Sequence, residues 1–493
     1  MSKKNFYCNA ILTCKDHNDL DKKTIKKYIS GINLMENAGK EIFKFIKNKF
    51  DKSKKINILC GPGNNGGDGF VVERLLKENN FKNVNLFCTV KKNNLKNDAK
   101  LAFEKGSKDI KNISKLHISK NDLIIDSLFG SGLKKNISGK LKKIIEKINL
   151  KRPYCISVDL PSGINGDTGE IYGIAIKSNT TITFTKKKPG HLLSPGTDYS
   201  GEVLVKNIGI DLNKLFYKAK IFENHPSNWK NDFPWPNNNS HKYKRGFSLI
   251  ICGDKMTGAS RLAARGAARI GCGMICLGVP RKRFDIYSTE NPIALIESLD
   301  NEKDLKKILK DKRINTVLIG PGLGISEKKF KLIKNVVNKK NRIIVLDADA
   351  LKNNFKKIIS IRKTNIVVTP HDGEFNHMLK ALNIKKKNNR IENASNFVKK
   401  TKINLILKGN TTIICSVDGR ISINKNTSPF LATGGSGDVL AGMVTGLISQ
   451  KMNIFEAACA AVWIHGEIAK TKGPGLIAED LTEMIPNILK KLK

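Results

Sequence analysis

Short apolar runs alternate with longer amphipathic stretches along most of the chain. In the first half, strand-like runs lie at 56–60, 84–90, 123–126, 155–159 and 180–184, with helix-like stretches at 69–77 and 138–148. After residue 246 the alternation resumes, with strand-like runs at 247–252, 274–279, 316–320, 343–347, 366–369, 405–408 and 411–416, and a helix-like stretch at 259–270. Short apolar strands separated by helices are typical of parallel sheets covered on both faces. The pattern therefore predicts an α/β protein.

The rhythm breaks once, between residues 223 and 246. This stretch contains Pro226, Pro234 and Pro236 and three consecutive asparagines at 237–239, among polar neighbours. Such a composition is typical of a linker, and 493 residues exceed what one core usually holds. We therefore predict a domain over 1–225, a linker over 226–245 and a second domain over 246–493.

Composition narrows the setting of the protein. The formal charge is +44, but the lysines are spread along the whole length and often occur beside asparagines. That distribution indicates a solvated lysine surface and argues against nucleic acid as the main partner. The ten cysteines include no CxxC pair, which favours a reducing compartment. No apolar run reaches the length of a membrane helix, so we expect a cytoplasmic protein without a membrane partner.

The most informative motif is the glycine-rich segment at 434–438. Gly434, Gly435 and Gly437 precede Asp438, and an apolar, helix-like run follows at 439–448. Glycines where a helix starts let backbone N–H groups close on an anion, and the helix dipole favours negative charge there. Asp438 could then take a proton from a hydroxyl about to meet a phosphate. The alternative is a glycine turn in which Asp438 is only the N-cap.

Three strand ends of the first half also carry polar and acidic residues. The run 56–60 leads into a glycine-rich loop at 61–69 with Asn64, Asn65 and Asp68, and the runs 123–126 and 155–159 end at Asp126 and Asp159. Carboxyl ends of parallel strands meet at one edge of a sheet, where ligands bind. Each turn alone is also explained by Asx caps. Their convergence on one edge predicts a ligand site.

These motifs resemble the epimerase domain of NAD(P)H-hydrate repair proteins, a family that interconverts the R and S epimers of hydrated nicotinamide cofactors. The resemblance rests on 64–68, 126–133, 158–163, 183–184 and 188–190, and on an N-terminal helix motif at 34–39. It implies a Rossmann-like domain with a potassium ion at Asn65, Asp126 and Ser162. It also implies hydrate contacts from Asn64, Asn65, Gly66, Gly67, Asp68, Gly130, Ser131, Gly132, Leu133, Lys134, Lys135, Asn136 and Asp159. Our own hypothesis is that Asp159 is the acid–base residue at the hydrated carbon.

The second half carries a comparable series of strand-end motifs. They lie at 253–264, 320–324, 347–351, 369–374 and 408–412. A strand-end Lys408-Gly409 beside two hydroxyls could bind a nucleotide phosphate. A tight hairpin turn explains the same residues equally well.

From about residue 246 to the end, the set resembles the dehydratase domain of the same repair family, which has a ribokinase-like fold. That domain dehydrates the S-hydrate to NADH or NADPH and consumes a nucleotide, ADP in bacterial members and ATP in eukaryotic ones. The resemblance implies ADP as co-substrate, giving AMP and phosphate. It implies hydrate contacts from Ala259, Gly322, His371 and Asp438, and nucleotide contacts from Lys408, Gly409, Asn410, Thr411, Thr412 and Gly437.

The expected chemistry follows from the poor leaving ability of hydroxide. Asp438 would take the proton of the hydrate hydroxyl as its oxygen attacks the terminal phosphoryl group, with the 434–437 amides and Mg²⁺ balancing the charge. The chain is thus expected to be both an isomerase and a lyase, acting on NAD(P)H hydrates. Two rivals stay open: a ribokinase-superfamily small-molecule kinase fused to a ligand-binding domain, and a non-catalytic RNA-associated scaffold. A homo-oligomer, the choice of ADP or ATP and the preferred hydrate also stay open.

Overall fold

The chain divides into two compact units. The computed structural model describes residues 9–90, 92–106, 110–289, 292–339, 341–352, 355–360 and 365–493. One unit is Ala10–Ala219, and the other is Lys220–Lys493 together with Asn9. In the described part of the chain, no helix combines the length and apolar character needed to cross a membrane.

The first unit is a parallel sheet between helices. Its strands are β1 (Ala10–Ile11), β2 (Ile56–Cys60), β3 (Val84–Cys88), β4 (Lys111–Asn112), β5 (Leu123–Ser127), β6 (Tyr154–Val158), β7 (Thr180–Phe184) and β8 (Glu202–Lys206). Its helices are α1 (Cys14–Lys27), α2 (Gly31–Lys49), α3 (Asn64–Glu78), α4 (Asn97–Lys105), α5 (Gly139–Lys151) and α6 (Gly196–Ser200). Seven strands form a sheet in the order β4-β3-β2-β5-β6-β7-β8, and every pair is parallel.

The second unit contains a larger, mixed sheet. Its strands are β9 (Ile221–Glu223), β10 (Phe247–Ile251), β11 (Met274–Val279), β12 (Ala294–Ser298), β13 (Thr316–Ile319), β14 (Ile343–Leu346), β15 (Asn365–Val368), β16 (Asn404–Leu407), β17 (Thr412–Cys415) and β18 (Ile421–Asn424). They follow the order β9-β18-β17-β16-β15-β14-β13-β10-β11-β12. Only β16–β17 and β17–β18 are antiparallel among these pairs. The predicted α/β class is confirmed in both units.

Helices cover the second sheet and build its core. They are α7 (Thr257–Arg269), α8 (Phe284–Thr289), α9 (Glu302–Ile308), α10 (Glu327–Val337), α11 (Asp349–Lys352), α12 (Phe355–Ser360), α13 (Asp372–Ala381), α14 (Arg390–Thr401), α15 (Ser436–Ser449), α16 (Ile454–Lys472) and α17 (Ala478–Leu492). Helix α15 packs closely on α7, because a Cβ at Gly442 would lie 2.0 Å from the carbonyl oxygen of Ala263. This contact fixes the helix that follows the 434–438 motif.

The segment predicted as a linker, 226–245, packs into the second unit instead. Trp229 and Phe233 are buried in its core, and the indole N–H of Trp229 donates to buried Asn224 at 3.2 Å. Just before this segment, β9 pairs in parallel with β18. Burial of the aromatic rings outweighs the turn-forming prolines in this segment, and the two compact units divide at residue 220. The domain limits of 225 and 246 stay a prediction.

The glycine-rich stretch after β2 is also different from the prediction. The prediction of a loop over 61–69 is wrong for residues 64–69, because α3 begins at Asn64 with Gly63 as its N-cap. A Cβ at Gly66 would lie 2.0 Å from the carbonyl oxygen of Gly61, so only glycine allows the helix to start this close to the strand. Asn64, Asn65 and Asp68 therefore lie on the first turns of a helix.

Candidate functional site

A cavity of about 640 Å³ opens at the carboxyl edge of the first sheet. The turns after β2, β5, β6 and β7 contribute to its lining, as the convergence of acidic strand ends predicts. Ten of the predicted hydrate-contacting residues line it: Asn64, Asn65, Asp68, Gly130, Ser131, Gly132, Leu133, Lys134, Lys135 and Asp159. The sequence motifs thus meet in one place.

Three predicted hydrate contacts do not line this cavity. Gly66 and Gly67 face other parts of the unit: a Cβ at Gly66 would meet Gly61, and one at Gly67 would lie 2.5 Å from the side chain of Met35. Asn136 also lies outside the lining. The two glycines are therefore explained by close packing of α3, and their contact with a ligand stays a prediction.

Helix α2 supplies an apolar wall to the cavity. Leu34, Met35 and Ala38, from the motif at 34–39, all line it. The same side chains are largely buried on the inner face of α2. The wall suits an uncharged ring rather than a phosphate.

Asp126 and Ser162 form a buried group of oxygen atoms beneath the cavity. Asp126 is fully buried and accepts hydrogen bonds from Ser162 Oγ at 2.6 Å, Ser162 N at 2.8 Å and Ser157 Oγ at 2.7 Å. Burial raises the pKa of Asp126 despite these donors. Ser162 Oγ also lies 3.2 Å from the carbonyl oxygen of Phe129.

The third predicted potassium ligand lies close to this group. Asn65 Oδ1 would be 3.1 Å from a Cβ at Gly130, the residue next to Phe129. The amide nitrogen of Asn65 is buried without a hydrogen-bond partner among the described residues. Carboxylate, hydroxyl, amide and carbonyl oxygens suit a hard cation, and a positive ion would offset the burial of Asp126. The residues present therefore fit potassium.

Asp159 occupies a strained position at the end of β6. Its φ of 66° is unusual for a non-glycine residue and turns its side chain toward its neighbours on β7 and beyond. Oδ1 accepts hydrogen bonds from Lys188 Nζ at 2.5 Å and Thr183 Oγ1 at 3.0 Å. Burial is the largest single influence and disfavours the ionised form, but Lys188, His17 and His191 together lower the pKa of Asp159 to about 2. Lys188 also lines the cavity, although the sequence motif gave it no role.

In the second unit, the 434–438 motif leads directly into α15. The helix begins at Ser436 after Gly435, which has a φ of 87° and makes no side-chain capping bond. Asp438 is the third residue of the helix and is half-buried. The N-cap interpretation of Asp438 is therefore wrong, because Gly435 is the N-cap. Capping does not explain the carboxyl group of Asp438.

The ends of three strands place two charged side chains and a hydroxyl group beside Asp438. Lys408 Nζ pairs with buried Asp347 Oδ1 at 2.9 Å, and Thr369 Oγ1 donates to the same oxygen at 2.6 Å. Lys408 Nζ would also lie 3.3 Å from a Cβ at Gly437. Burial and then Asp347 raise the pKa of Asp438 to about 6, while Lys408 opposes the rise. The pKa of the Asp438 carboxyl group is therefore close to neutral pH, and the group lies beside a cation and backbone amides.

The segment 408–412 forms a hairpin turn, which is one of the two structures that the sequence allows for it. β16 and β17 pair antiparallel across it, with Leu407 opposite Ile413. Gly409 and Asn410 are exposed, whereas Thr411 and Thr412 are buried. A turn of this kind presents its tip at the same sheet edge as Lys408, so the hairpin and nucleotide interpretations are compatible.

Arg390 supports this hairpin and was missed by sequence reasoning. Its guanidinium donates to the carbonyl oxygen of Thr411 at 2.7 Å and forms an ion pair with Asp372 at 3.1 Å. Arg390 is 18 residues before Lys408 and belongs to no motif, so no local signal in the sequence points to it.

The remaining predicted hydrate contacts lie on separate turns of the second unit. His371 caps α13, since its Nδ1 accepts from the N–H groups of Gly373 at 3.0 Å and Glu374 at 3.3 Å, and its side chain is 60% exposed. Ala259 is in the first turns of α7, and a Cβ at Gly322 would lie 2.3 Å from the carbonyl oxygen of Met256 just before that helix. Gly322 thus packs against the start of α7, and capping explains His371 without a ligand.

Two family models match the chain, one in each half. The model described as YjeF-related protein N-terminus matches residues 31–190, and the model described as NAD(P)H-hydrate dehydratase matches residues 248–487.

One similar protein aligns with nearly the whole chain, and two similar solved structures align with about half of it. The bifunctional NAD(P)H-hydrate repair enzyme of Dictyoglomus turgidum is 36% identical over 97% of this chain and 97% of its own length. The ADP/ATP-dependent NAD(P)H-hydrate dehydratase of Bacillus subtilis, co-crystallised with ATP and Mg²⁺, is 28% identical, covers 55% of this chain and 98% of its own, and has a TM-score of 0.48. A ribokinase-like superfamily protein of Enterococcus faecalis is 21% identical, covers 56% and 98%, and has a TM-score of 0.49. The chain belongs to the family of bifunctional NAD(P)H-hydrate repair enzymes, with an epimerase domain followed by a dehydratase domain.

Proposed function

We propose that the unit Ala10–Ala219 epimerises NAD(P)H hydrates through Asp159, and that the unit Lys220–Lys493 dehydrates the S-hydrate through Asp438. The observation that carries the second assignment is the state of Asp438. It is not a cap, its pKa is raised to about 6, and it stands beside the amides of the 434–437 glycine turn and near Lys408. A group with these properties can accept a proton at neutral pH.

In the proposed dehydration, Asp438 removes the proton of the hydrate hydroxyl as that oxygen attacks the terminal phosphoryl group of ADP. The backbone amides at 434–437 and the Lys408 ammonium stabilise the charge that develops on the transferred group. Phosphate then leaves while the ring nitrogen's lone pair forms a double bond to the former hydroxyl-bearing carbon. Loss of the proton on the adjacent carbon restores NAD(P)H, and AMP and phosphate are the other products.

The nucleotide and its metal are proposed from the chemistry of the surrounding residues. Lys408, the exposed tip of the 408–412 hairpin and Gly437 would contact the phosphates, and Arg390 holds the hairpin in place. Asp347 and Asp349 act electrostatically on Asp438, so several carboxylates face this region, and Asp349 with the phosphate oxygens would hold Mg²⁺. The metal would neutralise phosphate charge during transfer.

In the proposed epimerisation, the carbon–oxygen bond of the hydrated carbon breaks with loss of water, and water adds again on the other face. Asp159 is an acid–base residue for this exchange of water while the apolar wall of α2 holds the ring. Asn65, Asp126 and Ser162 would hold potassium, which would add positive potential and brace the turn at 128–130 on the cavity wall. The support is the oxygen-only group around Asp126 and the ionised state of Asp159.

The proposal is tested by turnover of purified hydrates with ADP and with ATP side by side. We expect reduced nicotinamide to reappear only with a nucleotide, faster with ADP. We expect Asp438→Ala to abolish this while epimerisation continues, and Asp159→Asn to do the opposite. A phosphorylated small molecule as the final product would instead identify a kinase, and loss of both activities in either variant would contradict the division of labour.

A further inference from the structure

The two oxygens of Asp159 have different surroundings. Oδ1 is held by Lys188 and Thr183, whereas Oδ2 would lie 3.1 Å from a Cβ at Gly130. Gly130 lines the cavity and has no side chain to block this oxygen. One oxygen is therefore fixed, and the other faces the space for the ligand.

Lys188 is itself held rigidly. It is 2% exposed, and its backbone N–H donates to His191 Nδ1 at 2.9 Å. Because Nδ1 accepts, the ring proton is on Nε2, which donates to the backbone oxygen of Asp159 at 2.8 Å. Burial and then Lys188 lower the pKa of His191 to about 3, so the ring is a neutral clamp between the backbones of Asp159 and Lys188.

Asp68 is the opposite kind of carboxyl group. It lines the same cavity from the second turn of α3, is 9% exposed and has no hydrogen bond or ion pair within the described residues. Burial, reinforced by Asp159 and Asp21, raises the pKa of Asp68 well above its usual value. The cavity thus contains one unpaired carboxyl group, in which burial favours the protonated form, and one ionised group that is paired with an ammonium.

We propose that Lys188 is a positioning residue that keeps Asp159 a carboxylate, so that Asp68 and Asp159 act as acid and base on the two faces of the hydrated carbon. The inference rests on the proposed epimerase function of this cavity and adds two residues to it. Lys188 touches Asp159 rather than the ligand, and Asp68 touches the ligand.

The proton transfers balance without an oxidant or reductant. Asp68 gives its proton to the hydroxyl, the carbon–oxygen bond breaks to release water, and the ring nitrogen's lone pair forms a carbon–nitrogen double bond. A water molecule then adds to the opposite face as Asp159 takes its proton and the double bond electrons return to nitrogen. Exchange with solvent restores both carboxyl groups, and the reverse direction uses them in exchanged roles.

Other titratable groups also face this pair, and they set the background for a pH experiment. They are Cys14, His17 and Asp21 on α1 and His191 in the turn after β7. Burial and then Lys188 lower the pKa of His17 to about 3, and burial raises the pKa of Asp21 to about 6. Asp21 titrates close to pH 6, so a limb that appears on removal of Lys188 must be compared with an Asp21→Asn background.

The test is the pH profile of epimerisation for Lys188→Met, measured from roughly pH 5 to 9. The matched control is Lys187→Met, which removes the adjacent lysine charge outside the cavity lining. We expect the control to keep the wild-type profile. We expect Lys188→Met to lose ~100-fold or more near pH 7 and to regain rate as pH rises, because the unpaired Asp159 ionises only at higher pH.

Two further variants keep the inference open to refutation if Lys188→Met folds poorly. Lys188→Arg retains the charge and should retain the wild-type profile at a reduced rate, and Asp68→Asn should lose ~100-fold at every pH while the hydrate still binds. Because dehydration is assigned to the other unit, folding of each variant is checked by circular dichroism, by cooperative thermal unfolding of the full chain and by hydrate binding at the cavity. An unchanged rate in Lys188→Met, or an equal loss at all pH values, would overturn the role of Lys188. Absence of epimerisation in the wild-type chain would instead overturn the proposed function.

Discussion

The dehydration rate should fall at acid pH as Asp438 becomes protonated, so the acid limb of its pH profile should report the ionisation of this residue. Burial is the main cause that raises the pKa of this carboxyl group to about 6, with Asp347 and Asp349 adding to it and Lys408 opposing it. As a general base, Asp438 must be ionised to work. Its contribution is therefore present above about pH 6 and is lost as the pH falls through that value.

The size of the effect follows from a one-site titration. With a pKa of about 6, roughly 90% of Asp438 is ionised at pH 7, about half at pH 6 and about 10% at pH 5. The dehydration rate at saturating substrate should thus fall about tenfold from pH 7 to pH 5. Asp438→Asn removes the base altogether, and we expect a loss on the order of 10²- to 10⁴-fold at neutral pH.

The assay is the return of reduced-nicotinamide absorbance from the S-hydrate with ADP, at each pH. Asp349→Asn is assayed at saturating Mg²⁺, because Asp349 is also proposed to hold the metal. It should move the limb to lower pH, because Asp349 raises the pKa of Asp438 and an asparagine oxygen can still accept the Gly324 N–H now bonded at 2.9 Å. Asp285→Asn, on the exposed surface of α8, is the matched control and should leave the profile unchanged. A flat profile between about pH 8 and pH 5, or an Asp438→Asn variant within about tenfold of wild type, would refute the assignment of Asp438 as the base.

Three further predictions address the rest of the structure. Gly130→Ala should depress epimerisation but not dehydration, since its Cβ would lie 3.1 Å from both Asn65 Oδ1 and Asp159 Oδ2; equal loss of both activities would contradict this. Gly442→Val should lower the free energy of unfolding by roughly 1–3 kcal/mol or more in denaturant titration, because its side chain would meet backbone 2.0 Å away at Ala263. Replacing potassium by a bulky organic cation should slow epimerisation while dehydration with Mg²⁺ continues, and insensitivity to potassium would argue against the group around Asp126.

The strands that carry the site could be predicted because they are short, apolar and buried on both faces. β2, β7 and β11 have the predicted bounds, and the ends that carry Asp126, Asp159 and Asp347 are within a residue of the prediction. The pattern did not predict β8 and β12, because half-exposed strands at a sheet edge mix polar with apolar residues. Periodicity is informative where both faces are buried and weak at an edge.

Glycine and proline misled the prediction for a shared physical reason. The glycines at 66 and 67 suggested a loop, but they allow α3 to approach Gly61 and Met35. The prolines around 226–236 suggested a linker, but Trp229 among them is 1% exposed. Both residue types signal a backbone constraint, and only the surrounding packing decides whether that constraint ends an element or lets two elements meet.

The pairing of Asp159 with Lys188 could have been reached only in part from the sequence. β6 and β7 are adjacent and parallel, with Val158 opposite Ile182, so the next residues of each strand, Asp159 and Thr183, come together and form a hydrogen bond. That step follows from strand order and register. The second step does not, because Lys188 returns to Asp159 through a turn fixed by His191, 32 residues beyond Asp159. A buried ammonium beside acidic strand ends is nevertheless a signal in its own right, since a buried charge needs a partner and the acid with which it pairs stays ionised.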